Sequence, residues 1–574
     1  MQSMAINYKL WKVTIHGFRG IDHLELEFGD GVPNTIIGAN NAGKSTILNA
    51  IALALNGGGF HQWSPSETDF YCDEAGNRAP EFTVQVLFHS SDALGYPAVK
   101  GVGQASLIHG VQVKGKINKD GRTKHSRTLL DKLGRSVTLS TRTSMKDTDK
   151  LKFAEHNIGY RPVNARLDDI SDHTPEVWLF KPQNIEASLY IWKTVPIAKL
   201  SKLLAERFLG DSWTLPRPTG DRKMPETLHQ AHAFFREAVE SFPFWTDDMK
   251  PRLERVFSRY VGSHATVDLR PDTQVLEEWL AQQLAVSLAT DPQSSTTPLR
   301  NMGDGWQSMI RLAALEALSE YPDLVKDRVV LLVEEPETHL HPHLCRKIRR
   351  VLSDLAAKGW TVVYTTHSSN LVSFEARQKI TRIVRLQGKI VSKTVDTATI
   401  DHNAKLQSKL DEQAAHDFLF GTGAIFCEGK DDSFAVRLAL EKAGVDCDAR
   451  SLSVTQCGSV TAIPAFCAIS SALGIRWCAL TDEDRLDDGS INPSTKKHRK
   501  VIENSKGPTD TLVEWPGNLE KALGMTKGKA TPEMATAKLN DTEWKATYPD
   551  FARTIGCLAA WIDPSIASKS DQPN

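Results

Sequence analysis

GANNAGKST, residues 38–46, decides the N-terminal half of this 574-residue chain. The apolar run NTII (34–37) precedes it and the helical run ILNAIAL (47–53) follows, with alternating strands expected upstream at 11–15 and 23–28. GxxxxGK[ST] between a strand and a helix is a phosphate cradle. Gly38 and Gly43 let backbone N–H groups around Asn40 and Asn41 turn inward, and the helix N-terminus adds partial positive charge. Lys44 is placed to reach the β- and γ-phosphates of ATP, and Ser45, with Thr46 beside it, to bind Mg²⁺.

Such a cradle needs an acid at the end of a second buried strand, and the next 250 or so residues offer no good one. RVVLLVEEPE (328–337) then supplies five apolar residues followed by Glu334 and Glu335, one to hold Mg²⁺ through water and the other to polarise the attacking water. Upstream, RNMGDGWQS (300–308) is a glycine turn, with Gly303 and Gly305, opening a helix expected over 309–318. Downstream, WTVVYTTHS (360–368) is a strand ending at His367. Each piece alone has a dull reading, a solvated acid pair or a histidine in a turn. In this order they resemble the P-loop, signature, Walker B and histidine loop of an ABC-type ATPase, split by an insert as in the SMC, Rad50 and RecF branch. That resemblance implies ATP held between two heads of a homodimer, Arg19 of GFRG (17–20) near the nucleotide, and Gln183, after the apolar strand 177–180, as the metal-contacting glutamine.

The bulk numbers are those of a soluble globular chain: 40% hydrophobic, 24% charged, net charge −1. A nucleic-acid site must therefore be a local patch. Residues 111–152 hold twelve Lys or Arg against four Asp, and the KDGR turn (119–122) suggests a basic hairpin within a β lobe at about 100–155. It reads either as a solvated lobe or as a phosphate contact. Eight cysteines show no CxxC pair, five of them in one apolar region, as expected of free buried thiols in a reducing compartment. No apolar run approaches the ~20 residues that span a bilayer. The expectation is a cytoplasmic protein without membrane contact.

The last third alternates strand and helix. GAIFC (423–427) ends in EGKDD and a helix expected over 434–442, SLSVT (451–455) ends in QCGS, and WCAL (477–480) ends in TDED. Glycines and acids gathered at strand C-termini mark the site edge of a parallel α/β sheet. Asp482 and Asp484, two apart, would share one side of an extended chain. Alone, that stretch also describes a solvated acidic turn. Glu428, Gly429, an acid four residues on and a later DxD resemble a Toprim domain, in which the four carboxylates Glu428, Asp432, Asp482 and Asp484 share metal. Oxygen-only ligands suit Mg²⁺ or Mn²⁺.

A split ABC-type ATPase followed by a C-terminal Toprim domain is similar to the OLD (overcoming lysogenisation defect) family of ATP-dependent nucleases, which includes the Gabija nuclease subunit. The resemblance spans nearly the whole chain. It implies an α/β protein with ATPase halves at 1–190 and 263–410, a helical dimerisation insert at 191–262 and a Toprim nuclease domain at 411–574. It carries nucleotide roles onto Lys44, Ser45, Glu334, Glu335 and His367, and nuclease roles onto Glu428, Asp432, Ser459, Asp482, Asp484 and Glu520, with Glu514 the rival of Glu520. Two metals at the Toprim site, one with ATP, DNA as substrate, a homodimer or larger assembly through heads and insert, and a helicase-like or other defence-system partner also follow from the resemblance alone. Two departures stand out: Glu334 where many ABC heads carry Asp, and Asp432 where the Toprim pattern has Glu. The alternative is a non-cleaving SMC- or RecF-like DNA-binding ATPase that uses the Toprim fold as a platform.

Overall fold

The computed structural model describes residues 9–55, 65–89, 109–118, 121–130, 136–137, 175–181, 241–261, 266–271, 284–289, 297–298, 302–318, 320, 329–374, 377–386, 388–399, 410, 416–486, 488–525 and 529–564. They fall into two compact units. One comprises Met1–Asn34, Gly43–Thr366 and Arg385–Ile390, the other Thr35–Ala42, His367–Val384 and Val391–Asn574.

In the first unit, β1 (Lys9–Phe18) and β2 (Ile21–Glu27) form a hairpin. β3 (Asn34–Gly38), whose residues from Thr35 on belong to the second unit, precedes the glycine loop and α1 (Lys44–Ala54) along the chain. β4 (Glu81–His89), β5 (Gly110–Ile117), β6 (Thr123–Leu130) and β7 (Ser136–Val137) extend the first hairpin into an antiparallel sheet of order β2-β1-β4-β5-β6-β7. The basic hairpin is β5–β6; its turn carries Gly121 at φ 78, a backbone conformation that favours glycine. Glu81 engages both Lys114 (3.0 Å) and Lys116 (3.2 Å), so part of the local positive charge is matched. Most of 131–152 lies outside the described residues.

β8 (Glu176–Phe180) comes next. Of the expected helical insert, residues 191–240 lie outside the described residues. From Phe244 a short π-helical turn (Phe244–Met249) runs into α2 (Lys250–Val261), with Phe242, Trp245 and Phe257 buried, as an aromatic stripe at helical spacing requires. β9 (Thr266–Pro271), β10 (Leu284–Ala289) and β11 (Thr297–Pro298) make a small antiparallel sheet before α3 (Asp304–Leu318). β12 (Val329–Glu334), α4 (Pro342–Ala357) and β13 (Thr361–Thr365) follow, and β12 pairs in parallel with β13 and with β8. A fully apolar strand flanked in parallel on both sides is the buried type, which explains the unbroken VVLLV run.

In the second unit, β14 (Lys379–Leu386) and β15 (Lys389–Asp396) precede the C-terminal sheet. There β16 (Gly423–Cys427), α5 (Lys430–Lys442), β17 (Leu452–Gln456), α6 (Ile463–Ala472), β18 (Arg476–Asp482), α7 (Pro493–Ser505) and β19 (Thr511–Trp515) build a four-stranded parallel sheet of order β17-β16-β18-β19. α8 (Leu519–Ala522), α9 (Pro532–Leu539), α10 (Trp544–Thr547) and α11 (Pro549–Ile562) follow. Both sheet faces are covered. Ile425, Cys427, Cys478 and Leu480 join one core with Trp515, Phe551 and Ile555. Ala424, Phe426, Trp477 and Ala479 join another with Phe418, Phe466 and Ile463. Cys427, Cys447, Cys457, Cys467 and Cys478 are free and buried. Among the described residues no helix is long and apolar enough to cross a membrane.

Two helices open earlier than the sequence suggests. α3 begins at Asp304 rather than 309, and α5 at Lys430 rather than 434. The first turn of α5 is polar and that of α3 opens on Asp304 and Gly305, so apolar periodicity starts late in both. The earlier start at α5 matters chemically: Gly429 becomes the N-cap, and its N–H donates to Asp432 Oδ2 at 3.1 Å.

Candidate functional site

The parallel sheet of the second unit brings its acids together where the strands end. Glu428 follows β16, and its Oε1 accepts a hydrogen bond from the Asp482 N–H at the end of β18 (3.0 Å). Burial pushes the Glu428 carboxyl up from its ordinary range, against the pull of the Asp482 and Val460 N–H groups, and the charge of Asp484 adds to the rise. Asp432 is raised to about 6, by burial first and then by Glu428 and Glu520. Asp482 is raised to about 8, by burial first and then by Asp432, Glu428, Glu520 and Asp484. Asp482 thus feels the charge of four other carboxylates, and its buried Oδ1 has no hydrogen-bond partner. The Trp515 indole N–H lies near enough to favour the Asp432 anion slightly, yet it makes no bond of good geometry.

Asp484 joins the group by a route other than the expected one. It is not on extended backbone beside Asp482: β18 ends at Asp482 and Asp484 sits at φ 43. It is held instead by α7, where Thr495 Oγ1 donates to its Oδ2 (2.7 Å) and the Asn492 N–H to its carbonyl (2.9 Å). Glu483, between the two aspartates, is turned away to the next loop, accepting from the Gly517 N–H (3.1 Å) and pairing with Arg485. Glu520 lies in the first turn of α8 and accepts from the Ala530 N–H (3.2 Å), while its rival Glu514 pairs with Arg499 (3.0 Å). Ser459 lies in the loop after β17, its hydroxyl 2.7 Å from that of Thr461.

Arg499 escapes sequence reasoning. Inside the charged run KKHRK it is one cation among four, yet only 7% of it is exposed. Its guanidinium donates to the Asp482 carbonyl and to Thr481 Oγ1 (3.2 Å) besides pairing with Glu514. The signal was there: Thr495, Arg499 and Ile502, all buried, recur at i, i+4, i+7. Arg499→Ala should lower stability by about 2–3 kcal/mol, because buried acceptors lose a charged donor. Arg499→Lys should restore only part, since an ammonium cannot span three acceptors in a planar fork. Urea unfolding of the three proteins checks this order.

In the first unit, Gly43 caps α1 at φ 98 and Lys44 is buried in the first helical turn, with Ser45 and Thr46 half-buried beside it. Burial lowers the Lys44 ammonium, and Glu335, Glu337 and Glu334 oppose that shift. Glu335 sits at φ 42, its N–H donating to the Thr365 carbonyl (3.1 Å) and Oγ1 (3.2 Å), and Glu337 accepts from Thr366 Oγ1 (2.9 Å). Lys181, unpredicted, follows β8, donates to Asn49 Oδ1 (2.9 Å) and stands 3.6 Å from Glu334. Gly303 accepts the first backbone bonds of α3, and a Cβ on Gly305 would fall 2.9 Å from the His339 carbonyl, so a side chain there is excluded. Arg19 pairs with the buried Asp69 (2.9 Å). In the second unit, Gly38 and Asn41 take positive φ, Asn40 and Asn41 are exposed, and His367 lies two residues beyond β13. Gln183 lies outside the described residues.

Residues 419–484 match the model of the TOPRIM domain described as overcoming lysogenization defect protein-like. That C-terminal segment is similar to the TOPRIM domain of OLD proteins. Residues 12–195 match an AAA domain model, and 191–373 a second AAA domain model, described by reference to an AbiEii toxin of a Type IV TA system. An OLD nuclease of Thermus scotoductus is 27% identical over 279 residues, 45% of this chain and 52% of its own. The Old nuclease of Escherichia phage P2 is 21% identical over 479 residues, 79% of this chain and 74% of its own. The chain therefore spans about half the length of the Thermus relative. Among solved structures, an Smc head domain with an extended coiled coil, from Pyrococcus furiosus, has a TM-score of 0.41 at 14% identity over 68% of this chain and 97% of its own. The SMC head of Thermotoga maritima has 0.32 at 14% over 67% and 99%. Scores of that size leave the fold to rest on the strand order and domain matches above.

Among the described residues, no group of three or more His, Cys, Asp or Glu side chains is arranged to hold a metal ion as it stands. The donor set nonetheless suits a hard divalent cation: the candidate ligands are all oxygens, four other carboxylates raise Asp482, and one buried oxygen of Asp482 is orphaned.

Proposed function

We propose that this chain is a nuclease of the OLD type, ATP-regulated and divalent-metal-dependent, that hydrolyses phosphodiester bonds in DNA. The observation that carries the reading is the orphaned Asp482 oxygen among mutually repelling carboxylates, which needs a cation to be stable in its charged form. Glu428, Asp432, Asp482, Asp484 and Glu520 would hold Mg²⁺ or Mn²⁺, with Ser459 beside them. Bound there, divalent cations lower the pKa of water and stabilise a leaving 3′ oxygen. The chain's own part is positioning. The Asp482 N–H fixes Glu428, Gly429 fixes Asp432, Thr495 fixes Asp484, and Arg499 fixes the end of the strand from which Asp482 emerges.

The nucleotide half of the proposal gives Lys44 the β- and γ-phosphates, Ser45 and Glu334 the accompanying Mg²⁺, Glu335 the attacking water, and Gly303 and Gly305 the signature turn facing a second copy. Arg19, Gln183 and His367 complete the nucleotide set by resemblance. Regulation is supported by the chain beyond His367. Within the second unit the His416 ring bridges the carbonyls of Ser369 and Leu410, and Val372 and Phe374 share a core with Phe418 and Phe426. A shift at the histidine loop would therefore be felt by the Toprim core. The domain boundaries at 190, 262 and 410, assembly through heads and insert, and a part in phage defence, with or without a helicase-like partner, belong to the same proposal.

The rival, a non-cleaving DNA-binding ATPase with a Toprim platform, draws on the open arrangement of the acids. Supercoiled plasmid separates the two. The nuclease converts it to nicked or linear form with Mg²⁺ or Mn²⁺, at a rate that changes on adding ATP, and not in chelator. Plasmid left intact by clean protein in every divalent ion supports the platform.

A further inference from the structure

A pentad of carboxylates repels the polyanion it is proposed to cut, so the same edge of the fold needs a cationic seat. α7 has the form of one. It is a two-faced helix. Its inward face carries Thr495 and Arg499, which bond Asp484 and the Asp482 carbonyl. Its outward face carries Lys496, Lys497 and Lys500, all exposed. At about 100° per residue these three fill one stripe of the helix. Lys496 is the chain neighbour of Thr495 and Lys500 that of Arg499, so each flanks a residue touching the acid loop. Among the described residues none of the three has an acidic partner, although the surface offers many: Lys9, Lys12, Lys114, Lys250 and Lys506 all have one. Like charges one turn apart disfavour a helix. An unmatched stripe held in place by ties to the acids on its other face is charge placed for a ligand.

We propose that Lys496, Lys497 and Lys500 form the seat for the phosphodiester backbone of duplex DNA entering the acidic site. The inference rests on the nuclease reading for its choice of ligand. A backbone contact of this kind is sequence-independent and salt-sensitive, each neutralised phosphate contributing about 0.9 to the slope of log affinity against log salt.

The test uses the full chain and its K496Q/K497Q/K500Q and K496R/K497R/K500R variants. Binding of a fluorescent 30-mer duplex is measured in chelator across a KCl series, and cleavage of the same duplex is measured in Mg²⁺. The glutamine variant should bind more weakly, with a salt slope smaller by up to about 2.7, three contacts at about 0.9 each. Its KM should rise more than its kcat falls, with an unchanged melting temperature, and the arginine variant should match the parent. A glutamine variant with the parent's affinity and slope overturns the seat. Parent protein that binds the duplex but never cuts it overturns the nuclease reading instead, and the slope still decides the seat. Parent protein that does not bind duplex DNA overturns both.

Discussion

Asp482→Asn should cut metal-dependent plasmid cleavage by about a thousandfold or more, since the several kcal/mol that a catalytic cation would supply depend on the proposed ligand. The same substitution stabilises the metal-free protein. Burial and four neighbouring acids raise Asp482 to about 8 and burial with two neighbours raises Asp432 to about 6, from 3.8 in both cases. Both folded values lie above the unfolded one, so the folded state binds protons more tightly. The stability this pair contributes is complete below pH ~4 and is lost as pH rises through 6 and then 8. In chelator, the parent should melt at a lower temperature at pH 8.5 than at pH 5.5, and Asp482→Asn should remove much of that difference. Mg²⁺ should raise the melting temperature of the parent at pH 8.5 and leave the variant nearly unmoved. Thermal melts in the four combinations of pH and metal check the sign. A parent that Mg²⁺ does not stabilise would contradict it.

Lys44→Ala should cut ATP affinity by roughly ten- to a hundredfold, the equivalent of about 1.5–3 kcal/mol for a lost charged hydrogen bond, and erase the response of plasmid cleavage to ATP. Lys44 is the buried cation against which Glu334, Glu335 and Glu337 are set, so its removal also leaves those acids facing one another. Titration with a fluorescent nucleotide gives the first effect. Cleavage rates with and without ATP give the second, and they should coincide in the variant. A Lys44→Ala protein whose cleavage still answers to ATP would remove the glycine loop from any regulatory role.

The elements readable in the sequence are those in which an apolar run stops abruptly at glycine or acid. NTIIG, VVLLVE, GAIFC and WCALTD are all buried strands whose ends carry the named residues. A parallel strand covered on both faces leaves no polar alternation to confuse the reading. Helix starts were harder, because α5 opens on a polar turn after a glycine cap and α3 on Asp304 and Gly305 just after Gly303. Glu428, Asp432 and Asp482 were legible as strand-end acids. Asp484 was legible as a residue but not in its conformation, since pleat geometry ends where β18 ends and a left-handed φ takes over. Arg499 carried only the faint i, i+4, i+7 spacing with Thr495 and Ile502, and Lys181 carried no signal. A cation just past a strand is marked by a partner that folding brings from far along the chain.

The account turns on whether the C-terminal acids bind divalent cations. Calorimetric titration of Mn²⁺ into the nucleotide-free protein, beside Glu428→Gln and Asp482→Asn, measures that directly. Saturable binding by the parent is expected, accompanied by proton release at pH 7 because Asp482 is raised to about 8, and its loss in both variants. A parent that takes up no Mn²⁺, or variants that bind it as the parent does, would contradict the account.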